Sequence, residues 1–199
     1  GLVRSLAESL AESLAASATG GGFVASPAAA VTCVSLALAL DAATANSPLA
    51  AEHLLVENLV APLVPHLVAG LGLVGDPAAA AEATPGAGGG VPPPTAALEP
   101  LIHIVTRVVN GPNAFLKGSN GEGAEEGAEG TAAQRREVCA RSAAMRADFV
   151  ELLVASGAVD ALASLFALHD RPKQDVEPVP PAILAGLRML EALLDARVP

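Results

Sequence analysis

Tryptophan and tyrosine are absent from the 199 residues, and only four phenylalanines occur. A core without large rings has to be assembled from Ala, Leu and Val, side chains that suit closely packed helices. Hydrophobic residues still make up 52% of the chain, which excludes disorder throughout and supplies apolar surface for one or two domains. Cysteine is scarce as well: Cys33 and Cys139 allow at most one disulfide and no framework, and neither has a CxxC neighbour. The expectation is an intracellular chain whose cysteines are small core residues. Basic residues are the third shortage, 11 against 21 acidic, for a formal net charge of −10. That sign opposes binding to phosphate backbones or anionic membrane surfaces, so neither is an expected partner.

A signal-type leader, with a basic n-region and an apolar h-region, is also missing, and the chain starts and stops inside helical patterns, as a window cut from a longer protein would. Residues 14–40 carry no charge, yet the glycines at 20–22 and Pro27 divide them into pieces expected to be too short to cross a bilayer. No membrane span is expected.

Three stretches lack any apolar period. "GDPAAAAEATPGAGGGVPPP" at 75–94, "GSNGEGAEEGAEG" at 118–130 and "HDRPKQDVEPVPP" at 169–181 read as low-complexity or polar insertions, and shortening the first two should barely change stability. The remainder is helical by period over 2–18, 27–45, 48–57, 59–73, 95–109, 132–155, 158–168 and 181–196, with no sustained two-residue alternation. The class is all-α. In the first helix "SLAESLAESLAAS" puts Leu6, Leu10 and Leu14 on one buried stripe and leaves Glu8 and Glu12 in water.

Self-similarity is present. "GLVRSLAESL" from Gly1, "NLVAPLVPHL" from Asn58 and "GAVDALASLF" from Gly157 share Gly or Asn, Val two residues on, Leu five on, and Leu or Phe nine on. The apolar positions are Val3, Val60 and Val159, then Leu6, Leu63 and Leu162, then Leu10, Leu67 and Phe166. They share a helical face, and the leading Gly or Asn is a residue that enters the left-handed conformation cheaply where a preceding helix ends. Gly157 is therefore expected to be a tight corner between helices at 148–156 and 158–168. A valine there should cost more than an alanine at Gly186.

The run "VELLVASGAVDALASLF", followed after a connector by "PAILAGLRMLEALL", resembles an armadillo repeat: a short first helix ending in a small residue and Gly, a second helix, then a longer third. Membership of the armadillo-like (ARM/HEAT) helical-repeat family implies a right-handed α-α superhelix, a solenoid fragment with long loop insertions. It divides the chain into a partial repeat at 1–45, a repeat at 48–109 interrupted by the insertion 75–94, and a repeat at 132–196 preceded by the acidic insertion 118–130. Corners 58 − 1 = 57 and 157 − 58 = 99 residues apart exceed the family period of about 40 by what the insertions supply. A HEAT-like or irregular superhelix and a closed bundle are the alternatives.

The resemblance implies a non-catalytic scaffold whose third helices, 27–45, 95–109 and 181–196, line a concave groove for other proteins; Arg107, Arg188 and Glu191 are its exposed candidates. Family members that clamp nuclear import signals use a Trp and an Asn on that helix. Here "GLRMLEALLD" puts Arg188 and Ala192 near those places, so import cargo is not expected. The alternative role is a helical regulatory tail of a larger enzyme, such as a fused-type protein kinase. A cytoplasmic location is expected, and by analogy of fold a cytoskeletal or ciliary assembly is a fitting home.

Other chemistry is weaker. "GLGLVG" at 70–75 matches the dinucleotide fingerprint GxGxxG in letters, but a helix rather than a strand precedes it, and a helix terminus ending in glycine is expected. His53, His66, His103 and His169 are scattered and read as surface or helix-end residues without metal-site spacing. Arg135, Arg136, Arg141 and Arg146 spread around one helix instead of forming a stripe. Neither cofactor nor metal is expected, and the ends of the chain, where "MLEALLDARVP" leaves Leu190, Leu193 and Leu194 awaiting neighbours, should favour self-association.

Overall fold

The computed structural model describes residues 1–19, 27–75, 95–111, 129–169 and 181–196. Among them every regular element is helical: α1 (Leu2–Thr19), α2 (Pro27–Asn46), α3 (Pro48–Val56), a 3-10 turn at Ala61–Leu63, α4 (Val64–Gly75), α5 (Thr95–Asn110), α6 (Glu129–Ala155), α7 (Ala158–His169) and α8 (Pro181–Asp195). Three starts are set by proline in the first turn, where the missing N–H costs nothing: Pro27, Pro48 and Pro181. Helix α6 begins at Glu129, inside the stretch read as an acidic insertion; the bodies of the three insertions lie outside the described residues.

Both internal corners are left-handed. Asn58 has φ 54° and Gly157 φ 84°. At the first, Leu59 N–H donates to the Leu54 carbonyl at 2.8 Å and Asn58 N–H to that of Leu55 at 3.0 Å, the paired closure that a left-handed residue permits at a helix end. At the second, Gly157 N–H donates to the Val154 carbonyl at 3.1 Å and the Ser156 hydroxyl to that of Leu153 at 2.8 Å. The chain bends by 85° at the first corner and 54° at the second. The repeated apolar positions then turn inward: Val60, Leu63, Leu67 and Leu162 are buried, and Val159 and Phe166 pack against the core. In α1, Leu10 and Leu14 are buried and Glu8 and Glu12 exposed, with Leu6 half-buried.

Helix α5 lies between α2 and α8 and packs extensively on both; α4 lies along α7, and α1 along α2. Short α3 bridges α1, α2, α5 and α6. Leucine dominates the core, with Leu54, Leu67, Leu71, Leu98, Leu101 and Leu153 among the fully buried side chains. Gly186 of α8 faces α7, where a Cβ would meet Leu162 Cδ2 at 3.0 Å and Phe166 Cε1 at 3.4 Å.

Helix α2 corrects one expectation. Pro27 starts this helix instead of breaking it, and its 20 residues carry one charge, Asp41. By length and composition one helix among the described residues could cross a membrane, or up to three if each bent pair is one span. Only 22% of the most apolar window of α2 is buried, the buried side chains being Cys33, Ala37, Leu40 and Thr44.

Candidate functional site

The row α2, α5, α8 carries the residues singled out from sequence. A displacement of 81 sets Arg107 of α5 against Arg188 of α8 in burial pattern: the buried Ile104, Val105 and Val108 fall on the buried Ala185, Gly186 and Met189. The same displacement carries His103, Thr106, Arg107 and Asn110 onto Leu184, Leu187, Arg188 and Glu191. His103, Thr106 and Arg107 are half-buried and Asn110 is exposed, whereas all four counterparts on α8 are exposed.

Arg188 and Glu191 are exposed as expected, and neither makes an ion pair with another described residue. Arg107 differs. It is half-buried, and its Nη1 donates to the Asp41 carbonyl at 3.0 Å, to Thr44 Oγ1 at 2.9 Å and to the Asp41 carboxylate. The other Asp41 oxygen, Oδ2, lies 3.6 Å from His103 Nδ1. A guanidinium in the last turns of α2 also meets the negative end of that helix, so Arg107 ties two neighbouring helices before it can serve any partner.

A second polar centre joins α3, α5 and α6. Glu52, 5% exposed, accepts from Arg146 Nη2 through Oε1, while Arg146 Nε donates to the Val108 carbonyl at 3.0 Å. Oε2 of Glu52 is buried with no hydrogen-bond partner. Gly111 follows α5 with φ 57° and lies directly against the guanidinium. Of the arginines read as spread around one helix, Arg146 is thus a structural member; the side chains of Arg135, Arg136 and Arg141, and of Cys139, lie outside the described residues. Only one signal in the sequence pointed here: Glu52 sits in register with the apolar face of "PLAAEHLLV".

The histidines divide. His53 is exposed and His103 half-buried; His66 sits in the first turn of α4, at a helix end, but at 7% exposed it is not on the surface. The side chain of His169 lies outside the described residues. No group of three His, Cys, Asp or Glu suited to a metal ion occurs among the described residues. The six residues of "GLGLVG" are the last turns of α4, so no strand presents them to a dinucleotide.

Cys33 is buried on α2, and burial pushes its thiol up to about 11. With the folded value above the unfolded 9.0, the contribution to stability is complete below pH 9 and is lost as pH rises toward 11. We expect unfolding free energy to decline over that window in the native sequence and to decline less in Cys33→Ala. On a Cys139→Ser background, iodoacetamide should modify Cys33 about 100-fold more slowly in the folded chain than in urea. Equal rates would show the site to be open.

The chain matches no family model, no curated protein and no solved structure.

Proposed function

We propose that the chain is a segment of an armadillo-like solenoid, a non-catalytic scaffold that docks other proteins along the outward face of α2, α5 and α8. The observation that supports this reading is the pairing pattern: α2 with α5 and α5 with α8 in one row, α4 with α7 in the other, and a left-handed corner before the second member of each three-helix unit. Stacked repeats touch only their neighbours and generate such rows. A closed bundle would bring the first helices round to the last, and among the described residues no extensive contact joins α1 or α2 to α6, α7 or α8.

Within this reading α2 is the first member of the row and not a membrane span, since its one charge is tied to Arg107 and its buried stripe lies against the other helices. An acidic solenoid suits a connector in a cytoskeletal or ciliary assembly, a placement that rests on analogy of fold. Arginine and flanking apolar contacts give such a face its anchors.

A peptide array probed with the intact chain tests the docking face. Binding peptides should lose affinity on the order of tenfold when His103 and Arg188 are both changed to Glu, and should keep it when exposed Asp160 and Ser164 of α7 are changed to Ala. Loss on the α7 changes with none on the α5 and α8 changes would place the site elsewhere and end this proposal.

A further inference from the structure

We infer that the outward face of α8 binds the same face of a second copy of this chain, with the two helices antiparallel. Leu184, Leu187 and Leu194 are 53%, 48% and 59% exposed, large values for leucines on a helix whose other face is core. With Glu191 they recur at intervals of three, four and three residues, the spacing at which a stripe stays facing a partner helix. Arg188 flanks the stripe, and Arg188 and Glu191 have no ion-pair partner among the described residues.

Charge decides what covers the stripe. An antiparallel copy with its twofold axis at the level of Met189 sets Leu184 opposite Leu194 of the second copy and Leu187 opposite its Glu191. The same register sets Arg188 beside that Glu191, and symmetry makes every contact twice. Two leucine layers then close around two reciprocal Arg–Glu pairs, so a single surface is complementary to itself, as a twofold interface requires.

The competing cover is the exposed face of α2, with Val31 and Leu38, stacked head to tail from another copy. The one charge on α2 is Asp41, already held by Arg107, so that arrangement would bury Arg188 and Glu191 unpaired against Val, Leu and Ala. The inference does not depend on the repeat reading: an antiparallel α8 pair forms equally well on any helical architecture that leaves this face open.

Sedimentation equilibrium of the 199-residue chain tests it. We expect a monomer–dimer equilibrium visible by about 0.1 mM, as for an interface below standard size. The exposed position makes Leu187→Asp compatible with folding, checked by an unchanged helical circular dichroism signal, and this variant should be monomeric. Arg188→Glu and Glu191→Arg should each weaken dimerisation on the order of tenfold, and the double exchange should restore it to within about threefold. A native chain that stays monomeric, or one whose association ignores the α8 variants, overturns the inference. Species that grow beyond dimer with concentration also overturn it, in favour of head-to-tail stacking. Peptide binding on the α5 and α8 face is scored separately, so failure of the dimer leaves the docking proposal standing.

Discussion

Arg146→Met is expected to destabilise the chain by about 3–5 kcal/mol in urea unfolding, the largest effect of any single side-chain replacement considered for this protein. The reason is what it leaves behind. Glu52 is 5% exposed on α3, and Arg146 is the cation that pairs with it among the described residues; without it a carboxylate stays in the interior uncompensated. The Val108 carbonyl in the last turn of α5 has no further residue of its own helix to bond and loses the Arg146 Nε–H as well. Oε2 of Glu52 already lacks a partner, so the site has no reserve of hydrogen bonds. The double variant Glu52→Leu with Arg146→Met removes both charges and should recover most of the loss, ending within about 2 kcal/mol of the native chain. A cost below about 1 kcal/mol for Arg146→Met alone would mean that water reaches Glu52 and that the pair is a surface interaction.

Gly111→Ala should cost about 3 kcal/mol, several times the effect of the same change at Gly157. Both glycines have positive φ, 57° and 84°, and an alanine pays about 1 kcal/mol for that conformation at either. The difference is what the new methyl meets. At Gly157 nothing lies within 4 Å, whereas at Gly111 a Cβ would collide with Cζ and Nη2 of the Arg146 guanidinium. The guanidinium is the end of a flexible side chain, but Glu52 and the Val108 carbonyl hold it, so moving it forfeits most of what Arg146→Met forfeits. In an Arg146→Met background the Gly111→Ala cost should therefore fall to about 1 kcal/mol, a coupling that a purely local backbone effect would not show. Gly157→Val, with a branched side chain at positive φ, should cost about 2 kcal/mol. Gly186→Ala gains helix propensity while pressing on Leu162 Cδ2 at 3.0 Å and should come out near zero, which keeps the order expected from the sequence for a different reason. Thermal or urea unfolding of the four variants measures the series.

Elements and corners were legible in the amino-acid order because their causes are local. A stripe such as Leu6, Leu10 and Leu14 states its own period, Pro27, Pro48 and Pro181 each open a helix, and Asn58 and Gly157 stand where an apolar pattern stops and restarts. All of this physics acts within about five residues, so reading along the chain recovers it. What only the tertiary structure decided is which charges meet. Arg107 was read as an exposed docking residue and holds Asp41 across 66 positions; Arg146 was read as one of several scattered cations and holds Glu52 across 94. His66 turned inward, and the nearly uncharged α2 emerged as one unbroken helix with a largely open face. Periodicity tells which side of a helix is apolar, but the partner of a buried charge depends on the angle and offset at which helices dock. Those are set by the summed packing of many leucines and alanines, and no short stretch of the sequence carries them.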